Sequence, residues 1–562
     1  MSRLPLPFRY ARNDGRIFEA PHIAEFAGVT VLLLAIVVAL QLLAGSYGAE
    51  FGNDEASHYV SGLLVHDYLR SGFPSSPLAY LKAFHSHYPL VGIGHWGPLY
   101  YFAEGLWMTL VSTSRGSILL LSAAMTTAVA ILTYAFTVPR LGRLAGLFAA
   151  FGFIVLPLVQ ESSSELMLDI PIALLCLLAM IAYARYFDTV RLRFSVIFAV
   201  LAAAALLIKG NSACLALFPP FAVIFGRRFD LLRRASFWAP VPIVAILAAP
   251  WYALTYGQAE AGFRFNWGWA YAITATAANT EILLATIGQL IFVASVVGFA
   301  VVLMPTRGRP ADDGLVAAAA LVAAVWTFQS FTPAAIQDRY LVPLLPPLLI
   351  LAAFGVLTVC SRIMSRLRER FLSRHIYAVV PALAFSILGA SLAPGTVTHK
   401  SEACVGFMGV ARQIWKDRID SNPAVLVVAN GLGEADAIAE LAMDDPRRPS
   451  LFVVRGSRLL GGGGYNNQDY VPKYRTAAEV MAAIDAYSIP FVLFQPDCGG
   501  VRWEHMQQVQ EAQRLYPDRW EIIYAFPPTR PEIVLYRLRD NYERTADTAK
   551  LTALSAPRAL AP

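Results

Sequence analysis

The chain has 562 residues, of which 57% are hydrophobic and only 15% charged, with a formal net charge of +6. That balance excludes a string of soluble domains and a nucleic-acid binder, because the arginines are scattered through loops between apolar runs and form no basic face. Its five cysteines lack CxxC or His-rich spacing, which excludes a zinc or redox module; Cys176, Cys214 and Cys360 sit in or beside apolar runs as small hydrophobes.

Apolar stretches of roughly bilayer-crossing length are expected near 24–45, 116–138, 144–160, 170–187, 194–208, 213–226, 237–255, 281–303, 314–332, 340–360 and 376–393. These make eleven crossings, where a signal peptide would supply one. Arginine segregates to alternate connections. It gathers in the N-terminal arm (Arg3, Arg9, Arg12, Arg16), then at Arg140 and Arg143, Arg191 and Arg193, Arg227 to Arg234, Arg307 and Arg309, and Arg362 to Arg374. By the positive-inside rule these are cytoplasmic, and an odd number of spans then places everything after residue 395 outside.

Between the first two spans, segment 46–115 is too long for a simple connection. It is expected to hold interfacial helices anchored by Trp96, Tyr100, Tyr101 and Trp107, with a twelfth span over GPLYYFAEGLWMTLV as the alternative. Residues 1–395 thus form a membrane module. Residues 396–545 alternate short apolar strands (424–430, 450–456, 490–495, then WEIIYAF and EIVLYRL) with amphipathic helices over 434–443, 476–487 and 503–515, the pattern of an external α/β domain. The tail 546–562, rich in Ala, Thr and Pro, is expected to be disordered. AVLVVANGLGEADA resembles a dinucleotide fingerprint but lacks its third glycine, and GGGG at 461–464 reads as a loop. Cys404 and Cys498 share this domain and would pair in an oxidising compartment.

Charge enters the apolar half on one side only. GNDEASHYVSG places Asp54 and Glu55 just after the first span, either as a solvated helix cap or as a general base whose pKa the low-dielectric surface is expected to raise. Asp169 stands at the external mouth of the fourth span, where it would also complement the helix dipole. Lys209, in LLIKGNSACLALFPP, lies at the turn of an external hairpin; it either snorkels or binds a lipid phosphate. Arg264 lies in an aromatic-rich external loop, and Asp338, Arg339 and Tyr340 precede a proline-rich re-entry into the membrane. His58, His66, His85, His87 and His95 share the first external segment, and the His-x-His pair with nearby acids leaves a divalent ion open.

HWGPLYYF, LDIPIALLCLLAMIAYARY, LLIKGNSACLALFPP, the PWY at 250–252 and RYLVPLLPP, in that order, resemble segments of the GT-C superfamily. The similarity is to its branch of lipid A aminoarabinose transferases, protein O-mannosyltransferases and lipopolysaccharide-core glycosyltransferases. It covers about residues 24–360. The resemblance implies a polytopic α-helical GT-C-like fold and an inverting transfer of a sugar from a polyprenyl-phosphate donor to a lipid, glycan or protein acceptor of the cell envelope. The site would lie on the outer side of the inner (plasma) membrane, and the C-terminal domain would be periplasmic. On this reading Asp54 is the base, with Glu55 beside it and Asp169 as the second acid. Lys209, Arg264, Arg339 and Tyr340 would hold the donor phosphate, His58 and His95 would contact substrate, and no cofactor is required. Two segments depart from the family: His95-Trp96-Gly97-Pro98 stands for a His followed by Pro-Pro, and Lys209-Gly210-Asn211 for Lys-Gly-Pro. A lipid flippase or other transporter, and an oligosaccharide ligase, are the competing expectations, although no internal repeat or midplane charge supports transport.

Overall fold

In a computed structural model, the described residues are 23–260 (without 53 and 75), 265–304, 312–367, 376–392, 397–398, 405–416, 424–463, 470–495, 501–528 and 532–555. The expected pairing of Cys404 with Cys498 and the position of Arg264 lie outside them.

The first helix, α1 (Ile23–Leu43), is followed by three helices too short to span a bilayer, α2 (Glu55–Arg70), α3 (Pro77–His87) and α4 (Leu99–Leu110). Then come α5 (Arg115–Leu141), α6 (Arg143–Val155), α7 (Pro157–Ser164), α8 (Asp169–Thr189), α9 (Leu192–Leu206), α10 (Phe218–Gly226), the single turn α11 (Ala235–Trp238), α12 (Pro240–Glu260), α13 (Trp269–Leu303), α14 (Asp313–Phe331), α15 (Leu345–Leu367) and α16 (Ile376–Ser391). Seven helical segments are long and apolar enough to cross a membrane, or eight if the bent pair α6 and α7, which meet at 58°, counts as one. Three further apolar helices, over 192–206, 210–226 and 379–391, lie where the other three crossings were expected but are shorter than a full span. The chain is a multi-pass membrane protein. Its lipid face shows in residues such as Ile246 (72% exposed) and Leu254 (85%) on α12, where apolar side chains have no protein partner because hydrocarbon is their solvent.

No twelfth span forms. The 12 residues of α4 reach about 18 Å, short of the roughly 30 Å hydrocarbon core. Phe102, Leu106 and Leu110 are exposed along it, whereas Tyr100 and Tyr101 are buried in the protein core and are not interfacial anchors. Glu104, whose carboxyl lies fully buried against Gly62, breaks the apolar pattern from inside the fold.

After α17 (Phe407–Lys416), the C-terminal region folds as an α/β sheet: β1 (Ala424–Val428), α18 (Gly431–Asp444), β2 (Phe452–Arg455), α19 (Gly456–Leu459), β3 (Gly461–Gly462), β4 (Val471–Pro472), α20 (Ala477–Ala486), β5 (Phe491–Phe494), α21 (Glu504–Leu515), β6 (Trp520–Phe526), β7 (Ile533–Leu538), α22 (Arg539–Tyr542) and α23 (Thr548–Ser555). The main sheet runs β2-β1-β5-β7-β6; β1 is parallel to β2 and β5, while β7 is antiparallel to β5 and β6. Strand alternation sorts its side chains. Val425 and Val427 join the apolar cluster that continues into the membrane half, and Leu426 and Val428 join a second cluster under α20 and α21. The first glycines of GGGG pair as β3 with β4, and the stretch expected to be loose carries α23, because Leu551 is fully buried in the second cluster.

Buried polar contacts dock this region on the short helices that follow α1. Arg448 pairs with Asp67 of α2 at 2.7 Å, Arg115 with Glu440, and Tyr88 donates to Asp445, while the Glu50 carboxylate accepts the first backbone amides of α17. Removing one partner of a buried pair strands the other charge. Arg448→Met is expected to weaken docking by about 3–5 kcal/mol, and adding Asp67→Leu should restore most of it. Limited proteolysis of the purified protein reads this, and a single variant as resistant as the unmodified chain would contradict it.

Candidate active site

Local packing fixes the loop that carries Lys209. The amides of Gly97 and Leu99 donate to the carbonyls of Ile208 and Leu207 at 3.1 Å each, and the Tyr252 hydroxyl donates to Leu206 O at 2.7 Å. Segments that stand far apart in sequence, HWGPL, LLIKGN and PWY, therefore meet at one backbone stretch. Gly97 is required there: a Cβ on it would lie 2.0 Å from Leu207 O, which belongs to backbone and cannot swing away.

Four charges stand in two pairs around one ring. Lys209 Nζ donates to Asp169 Oδ1 at 3.0 Å, with both side chains nearly buried. Arg339 Nη2 donates to Asp54 Oδ2 at 2.7 Å. Tyr340 lies between them, with Lys209 Nζ 4.5 Å and the Arg339 guanidinium 5.9 Å from its ring centroid. Arg339 is held further by Gln337 Oε1 and Met167 Sδ, so its partner is Asp54 and not the adjacent Asp338.

Asp54 occupies the N-cap position of α2 without capping it through its side chain. Burial alone would raise its carboxyl, but the charges of Arg339 and Lys209 and the Arg339 hydrogen bond outweigh this and hold it below the usual carboxylate range. Burial also lowers Lys209 from its ordinary value, with the Asp169 carboxylate opposing. Asp169 Oδ2 is buried with no hydrogen-bond partner.

Glu55, expected beside the base, is bonded to backbone amides. It is fully buried, its Oε2 accepts the Gly52 amide at 3.0 Å and its Oε1 accepts the Leu166 amide at 3.2 Å, which ties the start of α2 to the turn before α8. His58 is buried beside the cluster, its Nδ1 2.8 Å from the Tyr101 hydroxyl, and burial pushes it down to about 3, so it is neutral. His95 faces Gln258 O through Nδ1 at 3.2 Å and packs edge-on to Trp96. Glu161 of α7, which the sequence reading passed over, lies within electrostatic reach of Arg339 and Asp338. Only the ESSSELMLDIP context could have drawn attention to it.

Among the described residues, no group of three or more His, Cys, Asp or Glu side chains is placed to hold an ion. His87 of the His-x-His pair stacks on Phe452 at 3.9 Å, and Asp54 faces a guanidinium.

No sequence family and no curated protein matches the chain. Solved structures do. ArnT from Cupriavidus metallidurans in the apo state superposes with a TM-score of 0.55 at 14% identity, covering 91% of this chain and 98% of that one. The same protein bound to undecaprenyl phosphate gives 0.54 at 12% identity, with the same coverage. The oligosaccharyltransferase AglB from Archaeoglobus fulgidus, in complex with an inhibitory peptide and a dolichol-phosphate, gives 0.53 at 12%, covering 90% of this chain and 74% of that one. The chain therefore shares its fold with these structures, as the resemblance stated from its sequence implied.

Gly97→Ala should lower the melting midpoint of the purified protein by the equivalent of about 1–3 kcal/mol, since backbone must shift to admit the methyl group. Gly28→Ala, on α1 with open space around it, should leave the midpoint unchanged or slightly raised. Equal midpoints for Gly97→Ala and the unmodified chain would remove the close approach from the account.

Proposed function

We propose that this chain is a membrane glycosyltransferase that moves a sugar from a polyprenyl-phosphate donor to a hydroxyl acceptor on the non-cytoplasmic side, with inversion. The observation that carries the reading is the paired cluster: two carboxylates and two cations brought to one external mouth of an apolar bundle from segments up to 285 residues apart. The fold shared with ArnT, bound there to undecaprenyl phosphate, and with AglB, bound there to a dolichol-phosphate, supports the same reading.

The chemistry follows from charge. A lipid phosphate entering the mouth competes with Asp169 for Lys209 and with Asp54 for Arg339. Inversion sets the attacking oxygen and the departing phosphate on opposite faces of the anomeric carbon. Asp54 and Arg339 cannot remain at 2.7 Å with the sugar between base and leaving group, so donor binding parts them. The released Asp54 carboxylate takes the acceptor hydroxyl proton as the oxygen attacks. The anomeric carbon–oxygen bond breaks, and the electron pair leaves with the polyprenyl phosphate, whose charge Lys209 and Arg339 stabilise in a water-poor site. Arg264 is proposed as a further phosphate contact, and His58 and His95 as neutral donors or acceptors to the sugar. A cell-envelope lipid, glycan or protein supplies the hydroxyl. Asp169 keeps Lys209 oriented until phosphate arrives.

An oligosaccharide ligase is the second reading, favoured by the likeness to AglB. Transfer from a donor bearing several sugars but not from one bearing a single sugar would select it. A transporter would carry its charges near the midplane, and here they gather at the mouth.

Asp54→Asn keeps the side chain's shape but cannot accept a proton, so transfer of labelled sugar by the purified protein in lipid should fall roughly 10²–10⁴-fold while donor binding persists. Lys209→Ala should weaken donor binding as well as turnover, and Glu55→Gln, which retains one backbone acceptor, should cost less than Asp54→Asn. Unchanged transfer by Asp54→Asn would sink the assignment of the base. The arginine distribution also predicts that a cysteine introduced at Leu192 is shielded from an impermeant reagent in intact cells while one at Ile522 is labelled; the reverse pattern would invert the topology.

A further inference from the structure

The strand–turn–helix AVLVVANGLGEADA has no part in the cluster described above, yet the fold gathers unpartnered polar groups around it. β1 leads through α18 to β2 on one side, and β5 leads through α21 to β6 on the other, so the carboxyl ends of adjacent β1 and β5 form a topological switch point, where open α/β sheets bind ligands. Asn430 caps α18 by accepting the Gly433 amide at 2.8 Å, which leaves the amides of Gly431 and Leu432 without an acceptor inside the helix.

Two side chains at this edge are fully buried and polar. Gln495, just after β5, is held to β1 by its own amide, which donates to Val428 O at 3.0 Å; both atoms of its side-chain amide lack a hydrogen-bond partner. That amide lies against the first turn of α18, so close that a Cβ on Gly433 would fall 2.2 Å from Gln495 Oε1. His505 is also 0% exposed, with Nδ1 2.8 Å from the Tyr470 hydroxyl and Nε2 unpartnered beside Gly456, which follows β2. Tyr470 stacks on Trp503 with an interplanar angle of 10°, and the Trp503 ring edge reaches Gly431. Burying an amide and an imidazole nitrogen without partners is unfavourable unless something arrives to bond them.

We propose that this switch point is a second binding site and that its ligand is a neutral sugar unit. An amide offers a donor and an acceptor side by side, which matches neighbouring hydroxyls, and helix amides supply further donors to hydroxyl oxygens. Aromatic rings suit the C–H faces of a pyranose. An anion fits less well: Arg455, which ends β2, is committed to buried Glu434 at 2.7 Å, and burial holds His505 neutral by lowering it to about 4. The inference stands apart from the catalytic reading, since it concerns binding at the sheet and not transfer at the membrane mouth.

The test uses the full-length protein in lipid nanodiscs with methyl α-mannopyranoside, methyl α-galactopyranoside and, separately, inorganic phosphate as probes, followed by saturation-transfer NMR and by hydrogen exchange of the 430–435 segment. Expected is saturable binding of at least one glycoside in the range of about 1–50 mM, slowed exchange in that segment, and at least about tenfold weaker binding in Gln495→Leu but not in Asp54→Asn. His505→Leu gives an independent variant should Gln495→Leu fail to fold. Saturable phosphate binding without glycoside binding, binding of neither probe, or glycoside binding that leaves 430–435 exchange and both sheet variants unaffected would each overturn the proposal. Loss of transfer activity alone would not touch it.

Discussion

A charge held against hydrocarbon must be answered by a charge of opposite sign, and in this chain that requirement organises the external mouth. Asp169 with Lys209 and Asp54 with Arg339 are brought from four separate segments, and each pairing satisfies a side chain that would otherwise be stranded at the edge of the apolar bundle. Tyr340 keeps the two cations from facing each other across empty space by giving both a ring face. The pairs hold one another in readiness. Each cation meets its carboxylate through a single hydrogen bond, the Lys209–Asp169 pair nearly buried and the Arg339–Asp54 pair partly exposed.

What was legible in the sequence follows from how the signals are written. Apolar length marks a span whatever the neighbours do, and the expected crossings fall on helices or on the bent α6–α7 pair. Short continuous apolar runs likewise located β1, β2 and β5, because their side chains are buried on both faces of the sheet. Arginine bias separated the chain's charges by side before any contact was known, and it drew attention to Asp54, Asp169, Lys209 and Arg339, which the fold assembles into one cluster.

The rest was hidden because it depends on partners. Adjacent residues on a helix point about 100° apart, so Asp54 and Glu55 were inseparable until the fold turned one toward Arg339 and the other toward the Gly52 and Leu166 amides. Tyr100 and Tyr101 have the composition of interfacial anchors, and only packing of α4 on α2 reveals them as core. Residues 548–555 have the composition of a loose tail and form α23 because Leu551 finds a buried place in the second cluster. The two carboxylate–cation pairings themselves span 40 and 285 residues, distances across which no periodicity carries information.

One element joins the membrane mouth to the external domain. Helix α2 begins beside Asp54 and carries Asp67 in its last turn, so its 16 residues, about 24 Å long, have the acid cluster at one end and the Arg448 docking pair at the other. Just before it, Glu50 caps α17, so the external domain grips the chain on both sides of Asp54. A packed helix transmits displacement as a rigid body. Because Arg339 holds Asp54 by a single contact between side chains whereas Arg448 and Glu50 each make several contacts to their partners, a shift of the external domain would be taken up at the Asp54 end. One packed helix therefore links the Asp54–Arg339 pair to the docked α/β region.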